Sequence, residues 1–140
     1  MEHPFHYIGC FFSRDALWEI LAPCRHAALE NPIQAPHITF AYEPEEVDTA
    51  LFGKEIWVTV IGYGNNGRNE AVKVTLHSED PTLEKMIRQI PVPHITLSVS
   101  EGAEPVDSRY LDFTPIAPIQ IKGTFGGFTQ DREVILEAAP

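Results

Sequence analysis

Basic residues are scarce in this chain. Of its 140 residues, 10 are Lys or Arg against 20 Asp or Glu, a formal net charge of −10. A chain of that sign repels a polyanion at long range, which argues against duplex DNA or long RNA as a partner. A small phosphate ligand stays open, because a pocket of His and hydroxyl groups acts within the screening length. Cysteine is scarcer still. Cys10 and Cys24 form no C-x-x-C pair and no metal pattern. Cys10 sits in an apolar run and reads as a buried free thiol. A Cys10–Cys24 disulfide is the alternative, disfavoured in a reducing compartment. No apolar run is long enough to span a bilayer, and no basic-then-apolar leader opens the chain. No linker or low-complexity tract divides it. The expectation is one soluble, cytoplasmic, monomeric domain over residues 1–140, with no membrane partner and 44% hydrophobic residues to build one core.

What the chain does have is a short string written twice. Pro36-His37-Ile38-Thr39-Phe40 and Pro93-His94-Ile95-Thr96-Leu97 both read Pro-His-Ile-Thr-apolar. With nine Thr among 140 residues, the six His should yield fewer than one His-x-Thr by chance. In an extended strand side chains alternate faces, so each His shares a face with its Thr and each Ile points away. Side by side, two such strands bring two imidazoles and two hydroxyls together. The bland alternative is a pair of similar buried strands whose His are satisfied by backbone groups. Zinc binding by His37, His94 and two carboxylates is a weaker alternative, since Thr is not a favoured ligand and no H-x-x-x-H occurs.

The chemistry of such a set is phosphoryl chemistry. Histidine titrates near neutrality, so one imidazole can take a proton from water while the other gives one to a leaving oxygen. Threonine hydroxyls can donate to the non-bridging oxygens, where charge must be held in the transition state. No metal and no cofactor is required. By strand parity Ser98 joins His94 and Thr96 as a pocket wall, and Ala41 joins His37 and Thr39, while Tyr42 points away. Tyr7 and Trp57 are candidates to stack a base, although ordinary burial habits favour structural roles for both. Arg68 and Lys73 read as parts of a solvated hairpin. His3, His6, His26 and His77 have no partner spacing.

The paired motifs resemble the 2H phosphoesterase superfamily, named for two His-x-Thr/Ser motifs. The resemblance implies catalytic roles for His37 and His94 and phosphate-binding roles for Thr39 and Thr96. The stretch from His94 to Ser108 is further similar to the cyclic phosphodiesterase domain of fungal tRNA ligases, where a Pro and a Ser stand at similar distances. That pattern has Lys before the Pro, where this chain has Glu104. Ser108 and Arg109 become candidates through this likeness alone. The implied fold is α+β: two pseudo-symmetric lobes of antiparallel sheet with outer helices around a central cleft. The implied activity is metal-independent hydrolysis of a 2′,3′-cyclic phosphate on a nucleotide or RNA end. The alternatives are cleavage of cyclic oligonucleotide or 2′-5′ oligonucleotide signals, and nucleotide binding without turnover.

Local patterns supply the elements. Phe5–Phe12 reads as a strand. A helix follows Ser13, with Leu17, Ile20, Leu21 and Cys24 as its apolar stripe and Pro23 near its end. The acids Glu43, Glu45, Glu46 and Asp48 suit the start of a short helix. Glu55–Ile61 and Ala71–Leu76 form a hairpin around a Gly- and Asn-rich turn. Asp80 and Pro81 open a second helix, with Leu83, Met86, Ile87 and Ile90 on one side. A short helix is possible within Gly102–Leu111. Two last strands, 119–125 and 128–136, are expected to turn at Gly126-Gly127. Strands and helices in this order argue α+β.

Overall fold

The computed structural model describes residues 5–25, 28–33 and 36–137, with Val106 described in its backbone only. His3 and His26 lie outside these residues. The chain runs β1 (Phe5–Phe11), α1 (Arg14–Leu21), β2 (Asn31–Pro32), β3 (His37–Tyr42), a 3₁₀ turn (Thr49–Leu51) and β4 (Glu55–Asn65). It continues with β5 (Asn69–His77), α2 (Pro81–Ile87), β6 (His94–Val99), a second 3₁₀ turn (Pro105–Tyr110), β7 (Thr114–Thr129) and β8 (Val134–Ile135). This is an α+β architecture. Its strands form one antiparallel sheet in the order β2-β6-β5-β4-β7-β1-β3, with β8 beside β7. Among the described residues, no helix is long and apolar enough to cross a membrane.

The sheet has one apolar face. In β4, Ile56, Val58 and Val60 are fully buried while Glu55 and Trp57 are exposed, the period-two signature of a half-buried strand. Leu17 and Leu21 of α1 and Leu83 and Ile87 of α2 join this face in a single core with Ile38, Ile95 and Leu97. Ile20 departs from the expected helix stripe and is 41% exposed. α1 stops at Leu21, two residues before Pro23, and Cys24 follows the helix with its thiol donating to the Leu21 carbonyl at 3.2 Å. Asp80 caps α2 by accepting from the Thr82 and Leu83 amides, which satisfies two of the orphan donors of a helix start. Cys10 and Cys24 are both free thiols, Cys10 deep in the core.

Gly126-Gly127 is not a turn. β7 passes straight through both residues. A Cβ at Gly126 would stand 2.3 Å from the Ile135 carbonyl oxygen, and one at Gly127 would stand 2.4 Å from the Phe5 ring. The glycines are there for close packing, and the chain reverses later, at Arg132 with its positive φ. β7 is thus 16 residues long and pairs with β4 and with β1, joining the two halves of the sheet.

Those halves repeat each other in register. Phe11, Cys10, Gly9, Ile8 and Tyr7 of β1 face His37, Ile38, Thr39, Ala41 and Tyr42 of β3. Lys73, Val72, Ala71, Glu70 and Asn69 of β5 face His94, Ile95, Thr96, Ser98 and Val99 of β6. Each pair is bridged by a helix, α1 in the first and α2 in the second. Each motif strand also carries one extra residue immediately after its Thr, Phe40 in β3 and Leu97 in β6. These are β-bulges at the same position of the repeat.

Candidate functional site

β3 ends the strand order and β6 lies second from its other end, yet their Cα atoms approach within 8 Å. The chain itself draws them together. Residues 31–33 run along β6, with the Ile33 amide donating to the Leu97 carbonyl at 3.0 Å. Three residues later the Pro36 carbonyl accepts from the Phe12 amide, and His37 pairs with Phe11. Ile38, Ile95 and Leu97 point into the core. By alternation His37 and Thr39, and His94 and Thr96, stand on the other face of the sheet.

His94 is held through one nitrogen. Its Nδ1 donates to the Val92 carbonyl oxygen at 2.8 Å. A carbonyl only accepts, so the neutral ring carries its proton on Nδ1 and leaves the Nε2 lone pair available. Burial holds the His94 pKa below the ordinary histidine value. The Val92 bond works against that shift, and the positive charge of Arg109 adds to it.

His37 lies in an aromatic layer. Its ring stacks on Tyr7 with centroids 4.3 Å apart and lies 5.7 Å from Phe11. The Tyr7 hydroxyl and His37 Nδ1 share a hydrogen bond of 3.2 Å. Tyr7 also stacks on Phe128 at 5.0 Å and is 8% exposed. With its ring between His37 and Phe128 it offers no open face to a base, so it positions His37 instead of stacking a ligand. Burial pushes its phenol well above the ordinary tyrosine range, which keeps the hydroxyl protonated.

The two threonines are not equivalent. Thr39 is exposed. It stands opposite Gly9, where a Cβ would meet the Ile38 carbonyl oxygen at 2.0 Å. Thr96 is 9% exposed, and its hydroxyl lies 3.1 Å from the Pro105 carbonyl oxygen and 2.9 Å from the Ser108 hydroxyl. Having one proton, Thr96 can donate to only one of them. Asn69 completes this knot by donating from Nδ2 to the Glu104 carbonyl and to Ser108. The second 3₁₀ turn is thereby tied to β6, and it carries Arg109, whose guanidinium lies 4.8 Å over the Tyr110 ring and whose charge acts on His94.

Ser98 does not join the site. Ala71 faces Thr96, and the next residue back, Glu70, faces Ser98. Consecutive β5 residues point to opposite faces and cross-strand partners share one. The Leu97 bulge therefore turns Ser98 away from Thr96. Its hydroxyl donates to Glu70 at 2.7 Å and accepts from the Leu29 amide, and Ser98 and Glu70 are both fully buried. Glu70 also accepts from Tyr63 and from both Nε and Nη2 of Arg25. Burial raises the Glu70 carboxyl, but these bonds outweigh it and hold the pKa below the ordinary value. The Phe40 bulge turns Ala41 inward in the same way, against Ile8 and the core. It also pairs Tyr42 with Tyr7, and the Tyr42 hydroxyl bonds His6 Nε2 at 2.8 Å.

Trp57 lies farther along the same sheet face and is 42% exposed. Lys73 of β5 is an exposed residue of the hairpin, as expected, and stands opposite His94 of β6. Asn69, Phe11 and Phe128 were not recognisable from sequence, because only the strand register reveals their neighbours. Among the described residues, no three His, Cys, Asp or Glu side chains gather as metal ligands. In comparisons with known proteins, the chain matches no protein-family model and no curated protein.

Proposed function

We propose that this protein is a metal-independent phosphodiesterase that opens a cyclic phosphodiester on a nucleotide or RNA end, with His94 as general base and His37 as general acid. The observation that carries the reading is the in-register repeat, which gives two His-x-Thr strands the same pairing register, a bulge at the same position and one shared sheet face. The 2H fold, with two pseudo-symmetric lobes about a cleft, is the architecture this repeat suggests.

The assignment of roles follows from the hydrogen bonds. His94 presents Nε2 as an acceptor, and its depressed pKa keeps it neutral. It takes one proton from water as the water oxygen bonds to phosphorus. The bond from phosphorus to one ribose oxygen breaks, and His37 gives that oxygen a proton from Nε2. In the imidazolium form His37 donates from Nδ1 to the Tyr7 oxygen, which holds the ring in place. Exchange with solvent returns both rings to their starting states. Thr39 donates to a non-bridging oxygen, and Arg109 supplies positive charge that acts on His94. Thr96 supports the site chiefly by anchoring the Pro105–Tyr110 turn.

A substrate panel tests the reading. Nucleoside 2′,3′-cyclic phosphates, cyclic dinucleotides and 2′-5′ oligoadenylate are incubated with the protein, and products are followed by ³¹P NMR. The expected result is conversion of the 2′,3′-cyclic phosphate to a single phosphomonoester isomer. Turnover of 2′-5′ oligoadenylate or cyclic dinucleotides instead would replace the substrate class, and no turnover at all would remove the enzyme reading.

A further inference from the structure

We propose that the groove beside Trp57 holds a base of single-stranded RNA, so that the preferred substrate is an oligonucleotide end and not a mononucleotide. This rests on the phosphodiesterase reading above. The groove measures about 350 Å³ and is lined by Trp57, Thr59, Thr75, Leu76, His77 and Gln120. Strand register places it on the His94 face. Lys73 stands opposite His94, Lys73, Thr75 and His77 alternate along β5, and His77 stands opposite Trp57.

The separation decides which base can reach it. From His94 to Trp57 the path is four residues along β5 and one strand spacing on either side, roughly 17 Å between Cα positions. That is several times the ~3.4 Å rise per nucleotide along one strand. A base on Trp57 therefore belongs to a nucleotide several positions along the strand, not to the one that carries the cyclic phosphate.

Charge on this strip tolerates a phosphate backbone. Its charged side chains on β4, β5 and β7 are Lys73, Lys122 and Glu55, and Glu55 is tied to Lys122 at 3.1 Å. Lys122 Nζ sits 5.2 Å over the Trp57 ring, and His77 Nδ1 faces Glu84 of α2 at 3.2 Å. With Glu84 counted beside His77, this strip carries two lysines against two glutamates and is close to neutral within a chain of net charge −10, so repulsion of a polyanion is weak here at close range. An exposed indole next to lysine is the stacking platform that single-stranded nucleic acid uses without sequence readout.

The test compares kcat/KM for uridylates of one, two, three and five nucleotides, each ending in a 2′,3′-cyclic phosphate. Wild type should gain about 10-fold from mononucleotide to pentanucleotide, within the range of one base–aromatic stack. Trp57→Ala should erase most of that gain and Trp57→Phe should keep much of it. Fluorescence of a Trp18→Phe protein, in which Trp57 is the remaining indole, gives a readout independent of turnover. A pentauridylate with a 3′-phosphate should quench it, and uridine 3′-phosphate should not. Rates that do not depend on length, or a length gain that survives Trp57→Ala without quenching, would overturn the groove while leaving catalysis intact. Quenching by the pentanucleotide with no hydrolysis of any member would overturn the phosphodiesterase reading and leave the groove standing.

Discussion

His94 Nδ1 donates to the Val92 carbonyl oxygen at 2.8 Å, and that single bond fixes which nitrogen of His94 can act as a base. The consequence appears in pH dependence. A base must be neutral to work, and burial together with Arg109 holds the His94 pKa below the ordinary histidine value of about 6.5. The acid limb of kcat/KM should therefore lie below that value. Arg109→Ala removes one depressing influence and should move the limb upward. A limb that stays put in the variant would dissociate Arg109 from His94. The same shift acts on folding: stability from a neutral buried His94 is full above the unfolded pKa and declines as pH falls toward the folded one.

Thr39→Ala and Thr96→Ala should differ in kind. Thr39 is exposed, so its loss should cut kcat/KM by about 10²-fold or less with little change in melting temperature, as for one lost oxyanion donor. Thr96 binds the Pro105–Ser108 segment, so its loss should also lower the melting temperature, through a stability loss of about 1 kcal/mol, the worth of a typical hydrogen bond, or somewhat more. Ser108→Ala should resemble Thr96→Ala. Kinetics paired with thermal melts separate the two classes, and equal behaviour of both threonines would contradict this division.

Tyr7→Phe keeps the ring stack and removes the hydroxyl that meets His37. The variant should melt near wild type. It should lose activity chiefly in kcat, with KM little changed, because the ring of His37 loses the partner that holds its Nδ1. Tyr7→Ala should destabilise by about 3–5 kcal/mol, the cost of deleting a buried aromatic. An unchanged kcat for Tyr7→Phe would reduce Tyr7 to a packing residue.

Glu70→Ala strands Arg25, Tyr63 and Ser98 on the core side of the sheet. Breaking a buried pair in this way typically costs about 3–5 kcal/mol, so urea melts should show a large loss. With its pKa held below the ordinary glutamate value, Glu70 contributes stability that is present above that value and is lost as pH falls through the folded pKa. Acid titration of wild-type stability should show this fall, and Glu70→Gln should flatten it.

The sequence was informative wherever a local rule operates. The β4–β5 hairpin, the Asp80–Pro81 start of α2 and the parity of His37 with Thr39 and His94 with Thr96 all follow from turn chemistry, capping and strand alternation. Ser98 and Ala41 were misplaced because parity fails at a bulge, and neither Phe40 nor Leu97 carries a signature that distinguishes a bulged residue from an ordinary strand residue. Gly126-Gly127 looks like a turn in one dimension, and only the approach of Phe5 and Ile135 shows the real demand on those positions. The knot of Thr96, Ser108 and Asn69 joins three distant parts of the chain. No local pattern predicts it, and Ser108 came into view only through the likeness of 94–108 to a known segment.

The central claim is that His37 and His94 perform acid–base catalysis on a cyclic phosphate without a metal. It is tested most directly by turnover of a nucleoside 2′,3′-cyclic phosphate in dialysed, EDTA-treated protein, with His37→Ala and His94→Ala measured alongside. The account predicts full wild-type activity in chelator and a loss of about 10²-fold or more in each variant. Activity abolished by EDTA and restored by zinc or manganese, or near-normal turnover in both variants, would contradict it.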